Sequence, residues 1–242
     1  MPYTCSLDST VPWRPRVDLE KWEGRISIPR HRHAHGYAAL IVSGGYEESG
    51  SFGRYKVRVG EVLLHRPFDA HLDRFGLTGA RILSLPLRLQ PAYGLGRVAD
   101  PDRIIQLARK DLIAATESLF EQLTPATPVP ADWPDLLASD LIKDPTLQLS
   151  EWAEREGLAQ ESLARGFRKV FAVTPAAFRA EARAHSAWVG MGDAAAPLAH
   201  IAEATGFADQ AHMTRAISEL TGCPPNHWRR LNRFNTPPSA AT

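Results

Sequence analysis

The sequence predicts an α+β chain of two domains, an antiparallel β-barrel of jelly-roll type followed by an all-α module of two helix-turn-helix units. Three observations lead there. Short runs rich in β-branched and aromatic residues fill residues 22–89, punctuated by Gly44-Gly45, Gly53, Gly60 and Gly76; strands at that spacing with glycine turns build barrels or sandwiches. A stretch with four prolines and almost no helix former, TPATPVPADWP at 124–134, separates this region from the rest. Beyond it lies a degenerate repeat of about 50 residues, the signature of a duplicated supersecondary unit.

Taken in order, the strands are expected at 25–28, 37–42, 51–59, 61–64 and 80–87, within a domain spanning 1–98. Residues 99–124 follow as one amphipathic helix, because Ile104, Ile105, Leu107, Ala108, Leu112, Ile113, Leu119, Phe120 and Leu123 fall on a wide apolar stripe. That stripe needs a partner, either its own barrel or a second copy of the chain. Residues 125–132 are the linker, semi-extended and moderately stiff. Residues 133–242 are the helical module.

Within the module the two copies match position by position. Leu163 aligns with Met213, Arg165 with Arg215, Phe167 with Ile217, Val170 with Leu220, Pro175 with Pro225, Phe178 with Trp228 and Arg179 with Arg229. Ser150 is expected as an N-cap, Gly157 and Gly206 as the sharp turns, and Asp209 as the cap of the last repeat helix. Leu163, Phe167 and Val170 form one buried stripe at helical spacing, and Arg165, Arg168 and Lys169 lie off it. Small Ala153 and Ala202 let the paired helices cross closely. Thr174-Pro175 and Pro224-Pro225 each start a further helix.

The stretch GFADQAHMTRAISELTGCPPNHWRR, residues 206–230, resembles the signature of AraC/XylS-type transcriptional regulators, and the VTPAAFR ending of the first copy fits the same pattern over about 133–234. Ala172 departs from it, standing where that family usually has Gly. The resemblance implies that the helices beginning near Gln160 and Asp209 are recognition helices entering successive major grooves about 34 Å apart. Gln160, Glu161, Ala164 and Arg165 would then face bases in one groove, and Gln210, Ala211, Thr214 and Arg215 in the next, since Arg pairs bidentately with guanine and Gln with adenine. Arg168, Lys169, Arg229 and Arg230 would hold phosphates. It also implies that the 99–124 helix serves as a dimerisation helix.

The runs HRHAHGYAALIVSGG and GEVLLHRPFDAH resemble the two half-motifs of a cupin, the usual sensor barrel of that regulator family. His31, His33 and His35 alternate, so a strand would project all three to one face. With His71, and His65 beside them, they would form either a divalent-metal site of imidazole nitrogens or a polar rim that contacts an effector. The carboxylate that metal-binding cupins place shortly after the second His is missing, because Tyr37, Ala38 and Ala39 fill its positions. Arg30 and Arg32 offer a third reading, an anionic pocket.

Composition narrows the classes. The chain has 242 residues and formal net charge +1, and no apolar run approaches the length of a signal peptide or membrane span; the expectation is a cytoplasmic protein without membrane contact. Cys5 and Cys223 make neither a disulfide framework nor a zinc knuckle and are expected reduced. From Trp133 onward 11 basic residues face 12 acidic ones, so local patches such as Arg165, Arg168 and Lys169 must attract the phosphates. No acid-base pair or nucleophile arrangement stands above background, and no enzyme is expected. The reading is a sequence-specific DNA-binding regulator with a small-ligand sensor. Its partners are double-stranded DNA, an effector, RNA polymerase and a second copy in a homodimer, with no cofactor unless the histidines hold a divalent metal. The alternative is a metal-dependent cupin sensor or enzyme tethered to a DNA-binding module.

Overall fold

The computed structural model describes residues 19–51, 53–87, 94–127, 132–144, 146–193 and 195–235. The first 18 residues, with Cys5, and linker residues 128–131 lie outside them. In chain order the elements are β1 (Glu20–Trp22), β2 (Ser27–Arg32), β3 (Tyr37–Gly50), β4 (Gly53–Arg58), β5 (Glu61–His65), β6 (Ala70–Pro86), β7 (Leu95–Arg97), α1 (Pro101–Ala108), α2 (Leu112–Gln122), β8 (Thr124–Pro125), α3 (Trp133–Lys143), α4 (Leu149–Arg155), α5 (Gln160–Phe171), α6 (Pro175–Gly190), α7 (Leu198–Ala204), α8 (Gln210–Thr221) and α9 (Pro225–Asn235). An antiparallel sheet followed by helices is the α+β arrangement expected. The strands pair as an open path, β1-β6-β3-β5-β7-β8, with β2 added on β6 and β4 on β3.

Two long strands organise the sheet. β3 pairs with β6 along most of its length, and register shifts flank Ser43 and Gly44. Glycines expected as turns therefore serve as bulges inside β3, which bend and twist a long strand without ending it. The bend brings backbones together: a Cβ on Gly44 would lie 2.1 Å from the carbonyl oxygen of Gly79, so neither neighbour leaves room for a side chain.

Strand alternation divides the apolar residues into two cores. Ala39, Ile41, Tyr46, Tyr55, Val57, Leu63, Phe75 and Ile82 fill the inner face. Ala38, Leu40, Val62, Leu64, Leu83 and Leu85 face the other way, onto Ile104, Ala108, Ala115 and Leu119 of α1 and α2. A sheet covered on both faces explains why residues 38–42 and 62–64 read as unbroken apolar runs.

The single helix expected at 99–124 is two. Asp100 caps α1 by accepting from the Arg103 amide at 2.9 Å. Asp111 caps α2, its Oδ1 accepting from the amides of Ile113 at 2.8 Å and Ala114 at 3.1 Å. A capping aspartate at that place competes with helix continuation, and the break lets both short helices lie on their own sheet. Ile113 and Phe120 remain exposed. The linker is shorter than expected, since Thr124 and Pro125 pair with Arg97 and Gly96 at the sheet edge, where proline's missing donor costs nothing.

The chain falls into two compact units that do not follow the sequence boundaries. Of the described residues, one holds 19–140 and 149–175, so that α4 and α5 belong with the sheet; the other holds 141–148 and 176–235. Inside the first unit, Arg54 of β4 grips Asp135 of α3 bidentately at 3.0 and 2.8 Å, which ties the start of the helices to the sheet. Cys223 is buried; the expectation for the cysteine pair falls on Cys5, outside the described residues.

Candidate nucleic-acid interface and effector cavity

The two helix-turn-helix copies repeat the same hydrogen bonds at the turn and at the end of the second helix. In the first, Gly157 adopts φ +66 and its amide donates to Glu154 O at 3.1 Å, while the Leu158 amide donates to Ala153 O at 2.8 Å. In the second, Gly206 at φ +75 donates to Glu203 O at 3.0 Å, and Phe207 donates to Ala202 O at 2.9 Å. Each second helix then ends in a left-handed residue. The Ala172 amide closes on Arg168 O and that of Gly222 on Ser218 O, both at 2.9 Å.

Caps differ from expectation at one end. Asp209 caps α8, accepting from the His212 amide at 2.6 Å. Ser150 lies inside α4, which starts one residue earlier at Leu149, so its side chain does not stand at the cap position. In α5, Leu163, Phe167 and Phe171 are buried while Val170 is half-buried. In α8, Met213, Ile217, Leu220 and Thr221 are buried. Gly166 sits mid-helix because the Trp133 ring lies against it: an added Cβ would meet Trp133 at 2.4 Å.

These stripes leave one face of each helix to solvent. Gln160, Glu161, Ala164, Arg165, Arg168 and Lys169 are exposed on α5, as are Gln210, Ala211 and Arg215 on α8, with Thr214 half-buried beside them. Arg230 is exposed on α9. Arg229 is a different case. It is half-buried and its guanidinium donates to Ala196 O in the segment before α7. Arg179, its counterpart in the repeat, donates to Leu147 O at 2.8 Å before α4. Both arginines hold the chain segment that precedes the motif's first helix, so Arg229 has a structural part beside the phosphate contact expected of it. Arg183 likewise holds the second turn, donating to Gly206 O at 3.0 Å with its guanidinium over the Phe207 ring.

The inner face of the sheet encloses a cavity of about 280 Å³. The sequence offered His31, His33, His35 and His71 for it. β2 ends at Arg32, so the three alternating histidines are not on one strand: His33 and His35 lie in the turn that follows. His31 and His33 approach with Nε2 atoms 3.1 Å apart, and His71 sits opposite His31 in register. His31, His33 and His71 offer nitrogens all within 4.8 Å of one another; His35 lines the cavity but is exposed and is not part of that cluster. Because His31 Nδ1–H donates to Pro29 O at 2.9 Å, the neutral ring presents the lone pair of Nε2. Neither Arg30 nor Arg32 lines the cavity, so an anionic pocket built on them is not what forms.

Sequence reasoning placed His65 near the site but missed its deepest carboxyls, Glu48 and Asp73. Glu48, Asp73 and His65 are buried, and Glu48 with His65 and His71 makes a second cluster of donor atoms within 4.8 Å. Glu48 Oε2 lies 3.6 Å from His65 Nε2 and accepts from Tyr46 Oη at 3.3 Å. Desolvation pushes the Glu48 carboxyl well above the ordinary range and Asp73 up to about 6, the neighbouring carboxyl adding to the Glu48 shift. Burial lowers His65 to about 3 and His71 further still, with neighbouring histidines contributing to both. Period-two spacing was the available signal: Tyr46 and Glu48 on β3, and His71, Asp73 and Phe75 on β6, alternate onto one face.

On the opposite side of the same strands a second constellation grips α5. Arg74 donates to Lys169 O at 2.7 Å and Val170 O at 3.3 Å and pairs with Glu47 at 3.3 Å, while Arg30 donates to Phe171 O at 3.2 Å. Each of these residues adjoins one that faces the cavity: Arg30 precedes His31, Glu47 precedes Glu48 and Arg74 follows Asp73. Cationic groups on the last carbonyls of a helix also oppose its dipole favourably.

Residues 152–231 match a protein-family model described as a helix-turn-helix domain. No curated protein matches the chain. Among solved structures, ToxT from Vibrio cholerae is 8% identical and aligns over 88% of this chain and 97% of its own, with a TM-score of 0.40. The C-terminal domain of AraT, a response regulator from Geobacillus stearothermophilus, is 20% identical over 45% of this chain and 89% of its own, with a TM-score of 0.38. A probable AraC family transcriptional regulator from Rhodopseudomonas palustris is 17% identical over 41% and 92%, with a TM-score of 0.35. No helix among the described residues is long and apolar enough to cross a membrane.

Proposed function

We propose, from the premise that residues 152–231 are an AraC-type helix-turn-helix domain, that the chain is a sequence-specific transcriptional regulator whose sheet senses a small effector. The observation that carries this reading is the duplicated turn geometry, which leaves a polar face with an arginine at the same repeat position, Arg165 on α5 and Arg215 on α8, free in solvent. In this reading the two helices enter successive major grooves, Gln160, Arg165, Gln210 and Arg215 address base edges, and Arg168, Lys169 and Arg230 hold phosphates. DNA, RNA polymerase and a second copy of the chain are its macromolecular partners, its place is the cytoplasm, and no reaction is assigned to it.

The effector acts through the strand residues that face two ways. A ligand that favours one placement of His31, Glu48 and Asp73 also biases Arg30, Glu47 and Arg74, and through them the C-terminal turn of α5. It shifts DNA binding only by the difference in its affinity for the two arrangements.

Selection of bound DNA from a random pool tests the reading. The expected operator has two elements about one helical turn apart. Arg165→Ala and Arg215→Ala should each relax preference at one position, at a cost of about 1–3 kcal/mol. Unchanged sequence preference in both variants would remove direct readout.

A second reading has its own observation. His31, His33 and His71 are spaced to share a divalent ion, and the buried Nδ1 of His71 has no hydrogen-bond partner among the described residues. These three imidazoles would hold the metal as nitrogen ligands. Metal analysis of protein purified without an affinity tag separates the readings, since absence of stoichiometric metal removes the metal sensor.

A further inference from the structure

Carboxyls and histidines line the cavity without a permanent cation among the described residues. Glu20, Glu48 and Asp73 supply carboxyls to the lining, and among the described residues no lysine or arginine lines it. Glu48 and Asp73 stand opposite each other in the β3–β6 register and are 4% and 6% exposed. Asp73 Oδ1 is buried without a hydrogen-bond partner among the described residues. An acceptor in that position is an unmet demand, because a buried polar atom without a partner bears its desolvation cost uncompensated.

Beside the carboxyls stands an aromatic wall. Trp22 stacks on Phe75 with ring centroids 5.5 Å apart, and Phe75 on Tyr46 at 5.0 Å. Ile28, Ala39 and Ile82 extend the apolar lining. At about 30 Å³ per water molecule the space holds roughly ten non-hydrogen atoms. A few convergent polar groups against an apolar wall are the usual composition of a small-molecule site.

We propose that this cavity binds a small organic ammonium, its cationic head held by Asp73 and Glu48 and its apolar body laid against Trp22, Phe75 and Ile82. The proposal rests on the effector-sensing reading and names the chemistry of the effector. A carboxylate ligand would meet the Asp73 and Glu48 carboxyls and no lysine or arginine. A neutral ligand without a donor would leave Asp73 Oδ1 unpaired, whereas an ammonium brings three donors and the compensating charge.

Three probes of equal body decide it: 2-phenylethylammonium, 2-phenylethanol and 3-phenylpropanoate, titrated calorimetrically into the full chain after metal removal. The ammonium should bind and raise the melting temperature, with affinity at least tenfold above either companion. Asp73→Asn and Glu48→Gln should each weaken it at least tenfold. Equal binding of alcohol or carboxylate, binding of none of the three, or unchanged affinity in both folded variants would overturn the proposal. The wild-type comparison alone decides should a variant fail to fold. An operator recovered by DNA selection while all three probes fail would refute only the ligand class; no recovered operator would refute the regulator reading and leave the ammonium result standing.

Discussion

Ala172 and Gly222 occupy the same place in the two repeats, both left-handed at the end of a recognition helix, yet only one is glycine. For a residue with a Cβ that conformation costs about 1–2 kcal/mol, so Ala172→Gly should stabilise the fold by up to about 1 kcal/mol once the extra backbone entropy is subtracted, and Gly222→Ala should destabilise it by a similar amount. Urea unfolding of the two variants checks the opposite signs. The sequence made Ala172 visible as a departure from the family pattern, but what holds it there was not visible. Arg229 shows the reverse case: the sequence offers it as a phosphate contact, and only the fold brings Ala196 O within its reach. Arg229→Ala should therefore lower stability by about 1–3 kcal/mol, the worth of a charge-assisted bond, while Arg230→Ala should leave stability within about 0.5 kcal/mol. Equal stability losses in the two would mean that Arg229 has no special structural part.

At the scale of elements, the sequence exposed what is local and hid what is long-range. The repeat helices were legible to within a residue because stripe, turn glycine and following proline all lie within one copy. β3 and β6 were not, since a glycine pair in a strand reads as a turn until a partner strand shows that it is a bulge. The amphipathic 99–124 segment was correct in its apolar stripe and wrong in its continuity, because Asp111 is an unremarkable residue until it becomes a cap. The grip of the sheet on α5 belongs to the same hidden class: Arg74 and Lys169 are 95 residues apart. Arg74→Ala should fray the last turn of α5, so that hydrogen exchange at the amides of residues 170–172 accelerates while α8 amides are unmoved. Equal acceleration in both helices would indicate general destabilisation in place of a specific hold.

For the whole molecule, the cavity groups make opposing contributions to acid stability. His65 and His71 are buried neutral with lowered pKa values, so below about pH 6.5 the unfolded chain takes up protons that the fold refuses. Their stabilising effect is complete above that pH and is lost as pH falls, at up to about 1.4 kcal/mol per pH unit for each histidine. Asp73, raised to about 6, and Glu48, also raised, act with the other sign: between about pH 6 and 4 the fold binds protons that the unfolded chain releases, and stability rises as pH falls. The two pairs offset each other, and the stability of metal-free protein should be nearly flat between pH 6 and 4. Removing one side reveals the other. Asp73→Asn should steepen the acid loss by up to about 1.4 kcal/mol per pH unit, and His65→Gln should tilt the profile by a similar amount in the opposite direction. Denaturant unfolding of the wild type and both variants at several pH values across that window measures the slopes; identical slopes in all three would show that these side chains do not hold the protonation states their burial implies.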